Sequence, residues 1–208
     1  MLFGDNTKQC EHIQNKTPTK DLISSSLTEI RQLFESQGDE QYYGEDASQF
    51  EHAAQGADLV RKGGFDEEVQ AAAFLHDIGH LMPAEMEEEL MEVYGRKNHE
   101  EVAADWLRAR GFPEKVCVLV ANHVNAKRYL THKNPKYFAG LSDASRKTLA
   151  FQGGPMQAEE AASFEQNPYF ELIIQMRRWD EAAKVTGLPK PYLETYLALC
   201  GEVLEGEV

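Results

Sequence analysis

Cysteine is scarce and odd in number: Cys10, Cys117 and Cys200 are scattered over 208 residues. Three thiols at such spacings exclude a disulfide framework and fit a reducing compartment, so a cytoplasmic location is expected. Long apolar runs are missing too. No stretch reaches the ~20 residues of a membrane span, and the opening MLFGDNTKQCEH lacks the charged-then-apolar layout of a signal peptide. Positive charge is in short supply, with 21 Lys and Arg against 35 Asp and Glu and a net charge of −14. A nucleic-acid backbone and an anionic membrane are therefore not expected as partners. An anionic small molecule remains open, provided a local basic pocket receives it. Convincing two-residue alternation of strands is absent, so the pattern points away from a sheet protein.

What remains is helical, with 42% hydrophobic residues to build a core. Ile23, Leu27, Ile30 and Phe34 mark a first helix over about 19–36. Ser48-Gln49-Phe50-Glu51 is a capping box that opens a second, ended by Gly63-Gly64. Asp66 caps a third, expected to run to about 78, and Asn98 a fourth that stops at Gly111. Pro113 suits the first turn of a fifth, expected to end near His123, with a loop-rich stretch over 124–141. Helices are expected over 143–151, 157–165, 168–185 and 191–204. The expectation is an all-α fold, one domain over residues 1–208, with 1–18 a loosely ordered extension.

The apolar run Ala73-Phe74-Leu75-His76-Asp77-Ile78-Gly79-His80-Leu81 is interrupted by two histidines and a carboxylate. A buried charge is costly unless paired, hydrogen-bonded or bound to a metal. His76 and His80, four apart, are expected on one helix face. His52 precedes them mid-helix, His99 stands at a helix start, His123 ends an apolar run, and Asp180 follows Arg177 by one turn. Taken singly, each is more ordinarily a satisfied core histidine or a solvated acid. Together, imidazoles and carboxylates of this kind suit iron, manganese or zinc.

His52…His76-Asp77…His99…His123…Asp180 resembles the HD-domain superfamily in its dinuclear form. It is similar in particular to the mixed-valent diiron oxygenases of the PhnZ type, which are related to myo-inositol oxygenase. The resemblance covers about residues 40–185 and implies an HD-domain helical bundle. It also implies two iron ions, Fe(II) and Fe(III): one held by His52, His76 and Asp180, the other by His99 and His123, with Asp77 bridging. Tyr42-x-x-Glu45, Gly79-His80, Lys127 four residues after His123, Ser145, Thr148 and Arg177-x-x-Asp180 also match that branch. The resemblance thus places Tyr42, Glu45, His80, Lys127, Ser145, Thr148 and Arg177 at the substrate, with Asp77, His80 and Tyr42 in the chemistry. The implied partners are a small organophosphonate and O2. The implied reaction is oxidative C–P cleavage of (R)-2-amino-1-hydroxyethylphosphonate to glycine and phosphate.

Read as residues alone, Lys127 is a solvated lysine, Arg177 pairs with an acid nearby, and Tyr42 and Glu45 are loop residues. The alternatives are the same chemistry on the N-trimethylated substrate, for which Tyr42, Tyr43, Tyr129 and Tyr137 offer aromatic faces, or a dinuclear phosphohydrolase.

Overall fold

Local signals start most of the helices. In the computed structural model, which describes residues 18–42, 46–83, 91–92 and 95–206, Thr19 accepts from the Leu22 amide at 3.2 Å and opens α1 (Lys20–Gln37). Ser48 and Glu51 close both halves of the capping box on α2 (Gln49–Lys62). Asp66 caps α3 (Glu67–Leu75) through the Val69 amide at 3.1 Å. After a short 3₁₀ helix, Ile78–Leu81, come α4 (His99–Ala109), α5 (Glu114–Lys133), α6 (Pro135–Gly140), α7 (Asp143–Phe151), α8 (Ala158–Phe164), α9 (Phe170–Ala182) and α10 (Leu193–Glu205). Strand-like pairing among the described residues is confined to isolated bridges such as the antiparallel one between Gln41 and Ser48. The all-α expectation holds.

α3 is the pivot. Ala71, Ala72, Ala73, Phe74 and Leu75 are all buried, and α2, α5, α9 and α10 pack around this helix. Phe74 stacks on Phe34 of α1 at 4.7 Å and on Tyr196 of α10 at 4.8 Å, so one ring ties three helices. Gly56 lets α2 approach closely, because a β-carbon there would stand 3.2 Å from the Ala73 carbonyl oxygen. Truncating a ring such as Phe74 costs about 3–5 kcal/mol. The rigid C-terminal end of α3 therefore delivers the residues that follow it, His76 and Asp77, into the interior.

The ends of α3, α5 and α9 differ from expectation. α3 stops at Leu75, and His80 donates its amide to Asp77 oxygen at 2.9 Å, an i→i+3 bond. His76 and His80 therefore do not share an α-helical face; a tight turn separates them and points them apart. α5 runs ten residues beyond His123, to Lys133. Its second half turns polar because that face borders a cavity, with Val124 and Lys127 buried there. No glycine or proline interrupts it before Pro135. Asn98 does precede α4, but in a left-handed conformation (φ 52°) with no side-chain cap bond. Residues 1–17, most of the acidic stretch 85–92, Tyr43 and Glu45 lie outside the described residues.

Candidate metal centre and substrate cavity

Four helices and one turn bring six side chains together. His52 comes from α2, His76 and Asp77 from the turn after α3, His99 from the first residue of α4, His123 from α5 and Asp180 from α9. All six are buried. Each imidazole donates from Nδ1 to a backbone carbonyl: His52 to Ala183 at 2.8 Å, His76 to Ala73 at 2.8 Å, His99 to Arg96 at 3.2 Å and His123 to Val120 at 2.8 Å. These bonds assign the ring proton to Nδ1 and leave Nε2 as a lone pair aimed inward. The premature end of α9 serves the same purpose, since Ala183 is its C-cap.

The inward nitrogens form two pairs. His52 and His76 meet Nε2 to Nε2 at 3.1 Å, as do His99 and His123 at 3.1 Å. Asp77 stands between the pairs. Its Oδ2 lies 3.3 Å from His76 and 3.6 Å from His52, and its Oδ1 lies 3.2 Å from His99 and 3.3 Å from His123. Asp180 completes the first pair, its Oδ1 3.5 Å from His52 Nε2 and without a hydrogen-bond partner.

Two facing lone pairs repel unless a cation or proton sits between them. Burial and the neighbouring His76 push His52 down to about 4. Burial also pulls on His76, but the adjacent Asp77 carboxylate outweighs it and holds His76 up at about 9. Burial would raise Asp77, yet His76 and the neighbouring His123 and His99 hold it well below the usual carboxylate range. Four imidazoles with inward nitrogens, a shared carboxylate and an orphaned carboxylate oxygen fit metal cations.

His80 is different. It lies close enough to Asp77 and His99 to make a donor group with them. However, its Nδ1 accepts the Arg96 amide at 3.1 Å, which puts its proton on Nε2. Its ring stacks on His99 at 3.8 Å. Burial and His99 push it well below its ordinary value. His80 is thus a neutral donor, and His123 is the better fourth imidazole of the cluster. Gly79 makes this docking possible, because a β-carbon there would sit 2.1 Å from the His99 carbonyl oxygen.

The cluster opens into a small cavity of about 50 Å³ whose lining includes Tyr42, His80, Lys127, Ser145, Thr148 and Arg177. Six of the seven side chains expected at the substrate therefore line one space; Glu45 lies outside the described residues. Lys127 is 3% exposed and donates to Thr148 Oγ1 at 3.0 Å. Burial, then the Arg177 charge, bring its ammonium down to about 7. Arg177 binds Asp180, and its Nε donates to Tyr137 hydroxyl at 3.1 Å and to Glu181 at 3.0 Å, while one Nη is buried without a partner. Arg177 is thus both a cavity wall and the clamp on Asp180. Tyr42 stacks on His52 at 3.9 Å. Burial, then the charges of Asp77 and Asp180, keep its hydroxyl protonated well above its ordinary range, and that hydroxyl bonds Asp77.

Tyr129 and Tyr137 are not among the cavity-lining residues. Tyr129 packs on Phe164 and Phe170 and bonds Glu165, and Tyr137 is spent on Arg177 and Glu181. Sequence reading missed Met91, Val124, Ala144, Gln152 and Lys184 in the lining. Gln152 had a signal, since as the residue closing α7 it follows Ser145 and Thr148 at helical spacing. Lys184 had none.

An all-helical bundle that buries a histidine–aspartate turn against three further imidazoles and an aspartate is a metal-dependent enzyme site of the HD kind. Residues 49–151 match the HD domain family. A 1-hydroxy-2-(trimethylamino)ethyl phosphonate dioxygenase (glycine-betaine-forming) of Leisingera caerulea is 43% identical over 76% of this chain and 80% of its own. A hydroxymethylphosphonate dioxygenase of Gimesia maris is 41% identical over 85% and 90%. An uncharacterized protein of Acanthamoeba polyphaga mimivirus is 37% identical over 88% and 83%. The chain belongs to the HD-domain superfamily, in its PhnZ-type oxygenase branch.

Proposed function

We propose that this oxygenase cleaves the C–P bond of a small 1-hydroxyphosphonate with O2, using an Fe(II)/Fe(III) pair. The observation that carries the reading is Asp77, one carboxylate whose two oxygens face two separate imidazole pairs. His52, His76 and Asp180 would hold one iron, His99 and His123 the other, and Asp77 both. The bound pair supplies the redox chemistry with dioxygen.

The chain's own residues bind and orient. Lys127 gives a charge-assisted bond to a phosphonate oxygen, with Ser145, Thr148 and neutral His80 as further donors. Arg177 fixes Asp180 and adds positive potential to the wall. Tyr42 holds its proton on Asp77 until substrate displaces it, with Glu45 as its gating partner. Burial of all six cluster residues keeps bulk water from the reacting carbon.

The leading substrate is (R)-2-amino-1-hydroxyethylphosphonate. With one O2 it gives glycine and phosphate, both oxygen atoms being retained in the products. Glu45 offers its ammonium an acceptor. The trimethylated analogue needs aromatic faces. Among the described residues only Tyr42 lends a tyrosine to the lining, and that ring already carries His52 on it.

Oxygen uptake and phosphate release are to be measured on iron-reconstituted protein with the amino, trimethylamino and hydroxymethyl compounds, beside anaerobic phosphoester hydrolysis. Stoichiometric O2 consumption and phosphate release are expected. Anaerobic phosphoester turnover without O2 uptake would establish the hydrolase instead.

A further inference from the structure

Beside Asp77 and Asp180, a third buried acid reaches the cluster. Glu100 directly follows His99 in the first turn of α4 and is 9% exposed. Its neighbour Glu101 is exposed and already places negative charge at the positive end of that helix. Glu100 Oε2 is instead buried without a hydrogen-bond partner. The group facing it is His99 Nδ1, 3.4 Å away. That nitrogen makes the longest of the four outer bonds, 3.2 Å to the Arg96 carbonyl against 2.8 Å for the other three rings. The carboxylates near His52, His76 and His123 face Nε2 instead. The two imidazole pairs also differ on their inward side. His52 and His76 have Asp180 besides Asp77, whereas His99 and His123 share Asp77 alone.

We infer that Glu100 is a positioning residue for the metal of the His99–His123 pair, supplying from behind His99 the negative charge that Asp180 supplies directly to the other pair. The inference rests on the dinuclear metal reading and not on the identity of the substrate. A carboxylate behind an imidazole N–H fixes the ring and its tautomer and raises the basicity of the inward nitrogen. His99 lacks other support of this kind: it opens α4 after Asn98, which is left-handed and makes no side-chain cap bond. A cation on Nε2 draws electron density from the ring and makes the Nδ1 hydrogen a stronger donor. Glu100 Oε2 then gains the partner it lacks, and the cost of burying that acid is relieved as the metal is held. The same charge favours the higher oxidation state of the ion it faces. Lys127 feels the Glu100 charge through space, but its own bond is to Thr148, so Glu100 remains directed at His99.

The experiment is anaerobic Fe(II) titration of the chelator-treated full chain, as parent, Glu100→Gln and Glu100→Ala. A reductive titration of the partly oxidised protein, followed by its mixed-valent paramagnetic signal, accompanies it. Gln matches Glu in size and keeps a carbonyl oxygen, so Glu100→Gln removes the charge alone. It should weaken one of the two iron sites about ten- to hundred-fold and leave the other at the parent's affinity. The midpoint potential of the mixed-valent to diferrous step should rise by about 59 mV, a ten-fold change for one electron. The Tm of the chelated variant should not fall. Parent-like affinity or potential in Glu100→Gln overturns the assignment, whatever Glu100→Ala does, since a loss confined to Ala reports packing. Equal weakening of both sites, or a lower Tm without metal, marks a general structural role and overturns it as well. A parent that binds fewer than two irons overturns the dinuclear reading and this inference together.

Discussion

His52 and His76 face each other nitrogen to nitrogen at 3.1 Å, with both outer nitrogens already committed to backbone carbonyls. The backbone thus dictates the tautomer, and the tautomer dictates that something positive fills the gap. His99 and His123 repeat the arrangement at the same sequence separation of 24 residues.

Metal loading should therefore stabilise the fold. Anaerobic addition of Fe(II) to chelated protein at a hundred times its dissociation constant adds about 2.7 kcal/mol, which for a chain of this size raises Tm by roughly 5–10 °C. A scan with and without chelator reads it. His123→Ala should lower the bound iron from two per chain to one and give back part of the rise. Equal Tm values for the loaded and chelated parent would mean the pairs hold only protons.

Lys127→Ala removes a cavity cation that makes no contact with the metal cluster in the structure; its bond is to Thr148. Loss of a charge-assisted bond of about 1.5–3 kcal/mol should raise KM by roughly ten- to hundred-fold while metal content stays at the parent's level. Arg177→Ala is expected to behave otherwise. Arg177 clamps Asp180, so that variant should lose metal as well as substrate affinity, and metal analysis separates the two.

Gly79→Ala tests the docking of the histidine–aspartate turn on α4. Its methyl would fall 2.1 Å from the His99 carbonyl oxygen, a backbone atom that cannot rotate away. Overpacking of this kind costs about 1–3 kcal/mol, and the displacement should fall on His99 and hence on one metal. Gly56→Ala, where the nearest atom is 3.2 Å away, should cost less and leave metal content intact. Denaturant midpoints and iron analysis on both variants check the contrast.

Tyr42→Phe keeps the stack on His52 and removes the hydroxyl bond to Asp77. Oxygen consumption without substrate should rise and the resting optical spectrum should change, while turnover partly survives. A spectrum identical to the parent's would leave Tyr42 with no gating role. Glu45→Gln is the companion variant, expected to weaken the amine substrate more than one lacking the amine.

Far from the site, Asp66 accepts from the Val69 amide at 3.1 Å and from Lys115 at 2.7 Å. Burial would raise its carboxyl, but Lys115 and the amide outweigh that and lower it. A lowered carboxyl contributes stability above its unfolded value of about 3.9 and loses it as pH falls through the folded value. Asp66→Ala should cost about 1 kcal/mol as a lost cap. Asp66→Asn keeps the cap acceptor, so its smaller deficit at pH 7 should shrink toward pH 3 in urea titrations.

The sequence by itself determined the helices and the donors. Caps at Ser48 and Asp66, stops at Gly63 and Gly111 and apolar periodicity are local signals, and the donor residue types stand in the chain whatever it folds into. Local signals failed where tertiary contacts took over: α5 continues past His123 because its polar face has a cavity to border, and α3 ends at Leu75 because the turn must aim Asp77 at two imidazole pairs. Which ring nitrogen faces inward was decided by carbonyls of Ala73, Arg96, Val120 and Ala183, groups every residue carries and no pattern distinguishes. The same holds for His80, whose role as a neutral donor follows from one amide, that of Arg96, and for Lys184, which shares the cavity only because α9 ends where His52 needs a carbonyl.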